Sequence, residues 1–204
     1  MSKWKEIAIK KIVLDHRPVT YGIVQPGPDI RPDGIPLIRG RDYSSGKVNT
    51  SDLYHVKPEI DLPYKRSKVL ANDILFSIAG YVGQVAVVPE SLAGANITQT
   101  TARISVDKNS FNSQYIFYYL VSEFTQIQVR KYAKGSAQEG LNLGDVDKFI
   151  IRFPKLLEEQ KEIGKRMQSI DNKIISEQAY LQKLQQIKSG LMADLLSGKK
   201  LVKA

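Results

Sequence analysis

Residues 156–196 read LLEEQKEIGKRMQSIDNKIISEQAYLQKLQQIKSGLMADLL, and all nine prolines of the chain lie at or before Pro154. Leu, Ile, Glu, Gln and Lys dominate the stretch, and all favour the helix or tolerate it well. Ile163, Met167, Ile170, Ile174, Leu181, Leu184, Leu191 and Leu195 follow a heptad seam in which Glu177 and Lys188 take two of the positions. The pattern predicts one helix of roughly 40 residues, about 60 Å long. Gly164 and Gly190 each weaken it by around 1 kcal/mol relative to alanine. An amphipathic helix of that length needs a partner helix, from another chain if not from its own. The two charged seam positions are a device for setting register or orientation.

Around that helix, the chain divides into a globular part over 1–153, a long helix over 154–197, and a C-terminal tail over 198–204. Asp15 to Pro36 holds five prolines and three glycines and reads as a long ordered loop. Ile35–Arg39, Asp73–Ala79, Val82–Val88, Thr100–Asp107 and Lys148–Phe153 have strand character. In the fourth of these, Ala102, Ile104 and Val106 share one face. Phe111 to Tyr132 is predicted as one helix, with Ile116, Leu120, Phe124 and Ile127 on its inner side and Gly135 ending it. The fold class is α+β: a mixed α/β domain followed by a coiled-coil helix.

Two hundred and four residues with 42% hydrophobic and 25% charged composition can bury a core without covalent help. The absence of cysteine excludes disulfide scaffolds and thiolate chemistry and fits a reducing cytoplasm. No apolar run approaches the length of a membrane span, and Met1-Ser-Lys-Trp-Lys-Glu-Ile has no signal-peptide core, so a cytoplasmic chain with no membrane partner is expected. Thirty Lys and Arg against 21 Asp and Glu leave +9, which suits a polyanionic partner.

The catalytic inventory is thin. His16 and His55 have no neighbouring ligands in sequence, so no metal site is expected. Phosphate-loop and dinucleotide fingerprints are missing, as is the Asn-Pro-Pro-Tyr segment of amino-methyltransferases. Gly80-Tyr-Val-Gly83 has the outline of an RNA-clamping loop, but its apolar middle makes it a turn between strands. Asp145 and Asp147 read as caps or turns. A nuclease built on Glu59, Asp61 and Lys65 is the enzymatic alternative; otherwise the chain is a binding protein without catalytic residues.

Basic, amide and aromatic residues cluster in the loops. Arg39 and Arg41 flank Gly40; Lys65, Arg66 and Lys68 form a basic run; Tyr81 sits in the turn. Gln99 and Thr101, in Thr98-Gln-Thr-Thr101, with Arg103 offer further polar side chains, and Lys134, Ser136 and Gln138 surround Gly135. Arg and Gln make paired hydrogen bonds to guanine and adenine edges, while Lys and hydroxyl groups suit phosphates. These residues are the candidates for contact with double-stranded DNA.

Several segments, in order, resemble the DNA-specificity subunit of type I restriction-modification systems. They are Gly34-Ile-Pro-Leu-Ile-Arg-Gly-Arg-Asp-Tyr43, Leu70-Ala-Asn-Asp-Ile-Leu-Phe-Ser-Ile-Ala-Gly80 with Val82-Gly-Gln-Val-Ala-Val, and Asn96-Ile-Thr-Gln-Thr. Gly135-Ser-Ala-Gln-Glu-Gly-Leu-Asn and Leu157-Glu-Glu-Gln160, opening the long helix, complete the set. The resemblance implies a target recognition domain over 1–153. Usual members carry two such domains and two antiparallel helices that act as a ruler; one of each here, from Trp4 to Leu195-Leu-Ser-Gly-Lys-Lys-Leu-Val, looks like a half-length subunit.

The resemblance further implies a dimerisation and spacer role for the helix over 154–197: a homodimer joined through the seam from Ile163 to Leu195, reading a gapped inverted repeat. It implies partner methyltransferase subunits, which carry S-adenosylmethionine, and a partner endonuclease subunit, with no cofactor on this chain. Leu157-Glu-Glu-Gln160 is the expected methyltransferase contact. The competing reading is a coiled-coil adaptor without DNA specificity.

Overall fold

The computed structural model describes residues 4–133 and 140–202. It divides into two units, Met1–Gly164 and Lys165–Ala204. In chain order the strands are β1 (Trp4–Ala8), β2 (Thr20–Tyr21), β3 (Ile35–Ile38), β4 (Tyr43–Ser44), β5 (Gly46–Val48), β6 (Tyr54–Val56), β7 (Ile74–Ser77), β8 (Val85–Val87), β9 (Asn96–Ile97), β10 (Thr101–Ile104) and β11 (Ile150–Pro154). The helices are α1 (Pro58–Asp61), α2 (Ser113–Val121), α3 (Glu123–Tyr132), α4 (Leu143–Val146) and α5 (Leu157–Leu196). The class is the α+β one that the sequence predicts.

A six-stranded sheet in the order β2-β10-β7-β8-β5-β4 forms the centre, beside a three-stranded sheet, β6-β3-β9. The hairpin β7-β8 pairs Ile74 with Val87 and Phe76 with Val85, and its turn holds Gly80 and Gly83 at positive φ. Glycine reaches that backbone region without steric penalty, which is why Gly80-Tyr-Val-Gly83 serves as a turn. Phe76, Ala102, Ile104, Ile116, Phe149 and Ile151 lie in the main core with no more than a trace of exposure. Burial of that apolar surface is the principal force holding this unit together.

Three expectations are corrected. The region 111–132 is two helices, because Ser122 adopts an extended backbone (φ −68°, ψ 159°) and starts a new helix. The break rotates the second helix, so Thr125 and Val129 are buried while Phe124 and Ile127 face outward. Strand β10 is buried on both faces: Thr101, Ala102, Arg103 and Ile104 are all inaccessible.

The third correction concerns the boundary at 153. The chain's first strand pairs with the last, from Trp4↔Pro154 to Ala8↔Ile150, and the compact unit continues through two turns of α5. Gln160 is fully buried; its Oε1 accepts from the Asn112 amide (3.0 Å) and its Nε2 donates to the Pro154 carbonyl (3.1 Å). Ile163 packs on the core, and Gly164 lies against the start of α2. Ile163 therefore belongs to the domain core and not to the exposed seam.

In the second unit, Met167, Ile170, Ile174, Leu181, Leu184, Leu191 and Leu195 are each between two-fifths and three-fifths exposed. The helix spans 40 residues, in line with the length read from the sequence.

Candidate nucleic-acid interface

Three chain segments converge just beyond the ends of β3, β7 and β9. Strands β3 and β9 run parallel, Leu37 beside Asn96 and Ile38 beside Ile97, so both deliver their following residues to the same end. The Thr98 amide donates to the Ile38 carbonyl (3.1 Å), and the Gln99 amide to Ile23 (3.0 Å). The amides of Ile78 and Ala79 both donate to the Thr100 carbonyl. Gly40 sits at the junction: a methyl group there would lie 3.3 Å from Ser77 Oγ, 3.5 Å from the Tyr81 ring and 3.7 Å from Thr100 Oγ1. Around it Arg41, Tyr81 and Gln99 are exposed. A guanidinium, an amide and an aromatic ring thus share one rim, the set that can hydrogen-bond base edges and contact phosphates or sugars.

Other candidates have structural partners. Arg39 donates through Nε (2.8 Å) and Nη2 (2.9 Å) to Asp42, whose carboxylate also caps the Arg39 amide. Its guanidinium lies over the Tyr54 ring, 5.1 Å from the centroid. The Arg39–Asp42 spacing of three residues was the available signal for this pairing. Arg41, by contrast, is 61% exposed and only 3.8 Å from the same carboxylate.

Thr101 is a correction. It is fully buried and its hydroxyl lies 3.2 Å from the Tyr43 hydroxyl, out of reach of a ligand. Burial pushes the Tyr43 hydroxyl's pKa up to about 12, partly offset by hydrogen bonds from Thr101 and Ser77. Arg103 is likewise internal: its Nη1 donates to Ser105 Oγ and its Nη2 to the Pro18 carbonyl. Ser105 in turn donates to Asp73, which also takes a 2.6 Å ion pair from Arg17.

The basic run stands on a separate anchor. Residues Leu62–Ser67 form a 3-10 turn tied to Asn96, which accepts from Ser67 Oγ (2.7 Å) and donates to the buried Asp61 (2.9 Å). Lys68 pairs with Asp61 at 2.8 Å, while Lys65 and Arg66 extend into solvent. Asp61 therefore serves an internal network, which removes it from a nuclease centre with Glu59 and Lys65. His55 hydrogen-bonds the Pro32 and Asp33 carbonyls through Nδ1, a local structural role. Lys134, Ser136 and Gln138 lie outside the described residues. Gly140 and Leu141, which follow them, pair with Ala79 and Ile78 at the same junction.

Residues 34–186 match the type I restriction modification DNA specificity domain family. The chain belongs to that family. It is 38% identical over 167 residues to the type I restriction enzyme EcoBI specificity subunit of Escherichia coli, covering 82% of this chain and 35% of that protein. It is 27% identical over 194 residues to the putative type I restriction enzyme MjaX specificity subunit of Methanocaldococcus jannaschii, covering 95% of this chain and 41% of that one.

The fold is that of the type I restriction-modification S subunit of M. genitalium (TM-score 0.63, 16% identity, 96% of this chain and 46% of that one). It is equally that of the HsdS subunit of Thermoanaerobacter tengcongensis (TM-score 0.66, 17% identity, 93% and 47%). This specificity-domain chain thus spans less than half the length of each of these relatives. Among its described residues, no helix is long and apolar enough to cross a membrane.

Proposed function

We propose that this chain is a non-catalytic DNA-reading subunit of a type I restriction-modification system. Its first unit binds one half-site of double-stranded DNA. The observation that carries the reading is the rim of Arg41, Tyr81 and Gln99 around Gly40, with Lys65 and Arg66 as further exposed cations on a chain of net charge +9. Arg41 and Gln99 read base edges, and the cations neutralise phosphates with release of counterions.

The second unit pairs with a second copy through its apolar seam, so that two identical recognition domains read an inverted repeat with a gap. The complex recruits methyltransferase subunits, which hold S-adenosylmethionine and modify adenine, and an endonuclease subunit. Leu157-Glu-Glu-Gln160 serves that recruitment with its exposed Glu158 and half-buried Glu159; Gln160 is occupied inside the domain. The site of action is the cytoplasm.

Selection from a randomised duplex pool, with the chain and its methyltransferase subunit at two salt concentrations, tests this. A gapped inverted repeat is the expected product. A single ungapped half-site would remove the twofold arrangement and keep the DNA role, and no enrichment at either salt would favour a protein-binding adaptor.

A further inference from the structure

We propose that α5 pairs with α5 of a second copy of this chain in one antiparallel register, in which Glu177 of each copy faces Lys188 of the other. The inference rests on the homodimer reading above, takes the antiparallel direction that the family resemblance implies, and adds to it the register and the residues that fix it.

The exposed face of α5 carries two shallow apolar grooves. One is lined by Ile170, Ile174, Glu177 and Leu181 among others, and the next by Leu184, Lys188, Leu191 and Leu195. Each groove therefore presents three apolar seam residues and one charged seam residue, and the two seam charges are opposite. A twofold axis passing midway between Gln182 and Lys183 relates the two grooves residue by residue. It brings Ile170 to Leu195, Ile174 to Leu191, Leu181 to Leu184, and Glu177 to Lys188. One operation pairs six of the seven exposed apolar seam residues with one another and matches both charges, leaving Met167 opposite Gly198 past the helix end, and twofold symmetry makes each pairing twice.

The competing arrangements fail on the same residues. A parallel, in-register pair sets Glu177 against Glu177 and Lys188 against Lys188, at positions that the apolar seam encloses. Sliding one parallel helix by eleven residues, the difference between 177 and 188, would bring Met167 against Gln178 and match one charge only. It would also leave an open, non-closing contact. The two charges thus weaken the seam relative to leucine but discriminate among its possible partners.

The chain contains no cysteine, so single cysteines report the register cleanly. Ile174→Cys and Leu191→Cys full-length chains are purified, mixed, oxidised and run without reductant, with the mass of each measured by sedimentation. The mixed disulfide should predominate by on the order of tenfold. In this register the two copies of position 174 are about 25 Å apart along the axis, whereas disulfides span Cα atoms only about 4–7 Å apart. Homodisulfides formed by either variant alone in equal yield would overturn the register while leaving the dimer. A chain that sediments as a monomer at every concentration would overturn the register and the homodimer reading together.

Charge reversal gives a second, independent readout. Glu177→Lys and Lys188→Glu should each weaken dimerisation roughly tenfold or more, and the double variant should restore it. Dimers indifferent to the single reversals would overturn the pairing.

Discussion

A Cβ placed on Gly164 would stand 3.1 Å from Asn112 Oδ1, the oxygen that caps α2 by accepting from the Tyr115 amide. Asn112 is itself held by Gln160, so it cannot easily yield. Gly164→Ala should therefore lower stability by about 1 kcal/mol, although alanine is the better helix former. Gly190 has nothing within 4 Å of the same virtual atom. There Gly190→Ala should strengthen the helix by up to about 1 kcal/mol. Urea midpoints and helical circular dichroism of the two variants check the opposite signs.

Asp73 is the carboxylate among two guanidiniums, Arg17 bonded to it directly and Arg103 reached through Ser105. Removing one partner of a buried pair leaves the other charge uncompensated. Asp73→Ala should destabilise the fold by about 3–5 kcal/mol, against under about 1 kcal/mol for Glu123→Ala at an exposed pair. Denaturant unfolding of both proteins makes the comparison.

Alkaline conditions should weaken the first unit. Burial raises Tyr43 to about 12 from an ordinary value near 10, and Tyr115 is also raised by burial. A group whose pKa is raised on folding contributes fully below its unfolded value, and the contribution disappears as pH climbs through the folded one. The Tyr43 part amounts to about 3 kcal/mol, lost between roughly pH 10 and 12. In Tyr43→Phe, urea midpoints from pH 8 to 11 should fall less steeply than in the parent.

Exposure separates the two arginines that flank Gly40. Arg41→Ala should weaken binding to the selected duplex by about 1–3 kcal/mol, with a smaller loss on random DNA. Arg39→Ala should instead lower the unfolding midpoint, because its guanidinium is engaged with Asp42 and Tyr54. Thr101→Val should leave affinity per folded molecule unchanged. Fluorescence anisotropy at two salt concentrations, paired with thermal melts, resolves the three.

Local pattern made part of this molecule legible. The hairpin from Ile74 to Val87 and the long helix announce themselves through alternation, turn glycines and a heptad. What escaped depends on distant partners. Thr101 and Arg103 alternate in sequence with the apolar Ala102 and Ile104, yet their face of β10 is covered as well, and Pro18 and Ser105 receive the Arg103 guanidinium. Ser122 interrupts a stretch whose apolar spacing runs on unbroken, because its hydroxyl turns back to donate to the Tyr119 carbonyl (2.6 Å) while its own backbone is extended. Gly164 read as a flaw in a helix and is a contact. The pairing of Trp4 with Pro154 spans almost the whole first unit, and no nearby residue encodes it.

The junction at Gly40 is fastened by main-chain atoms: Thr98 to Ile38, Gln99 to Ile23, Ile78 and Ala79 to Thr100. Amide-to-carbonyl bonds of this kind are indifferent to which side chains their residues carry. The outward groups at 41, 81 and 99 can therefore be replaced without loosening the frame that presents them. Such a surface is free to drift under selection: a lineage could acquire a new vocabulary of ligands by substitution at the rim while its core sequence stands still.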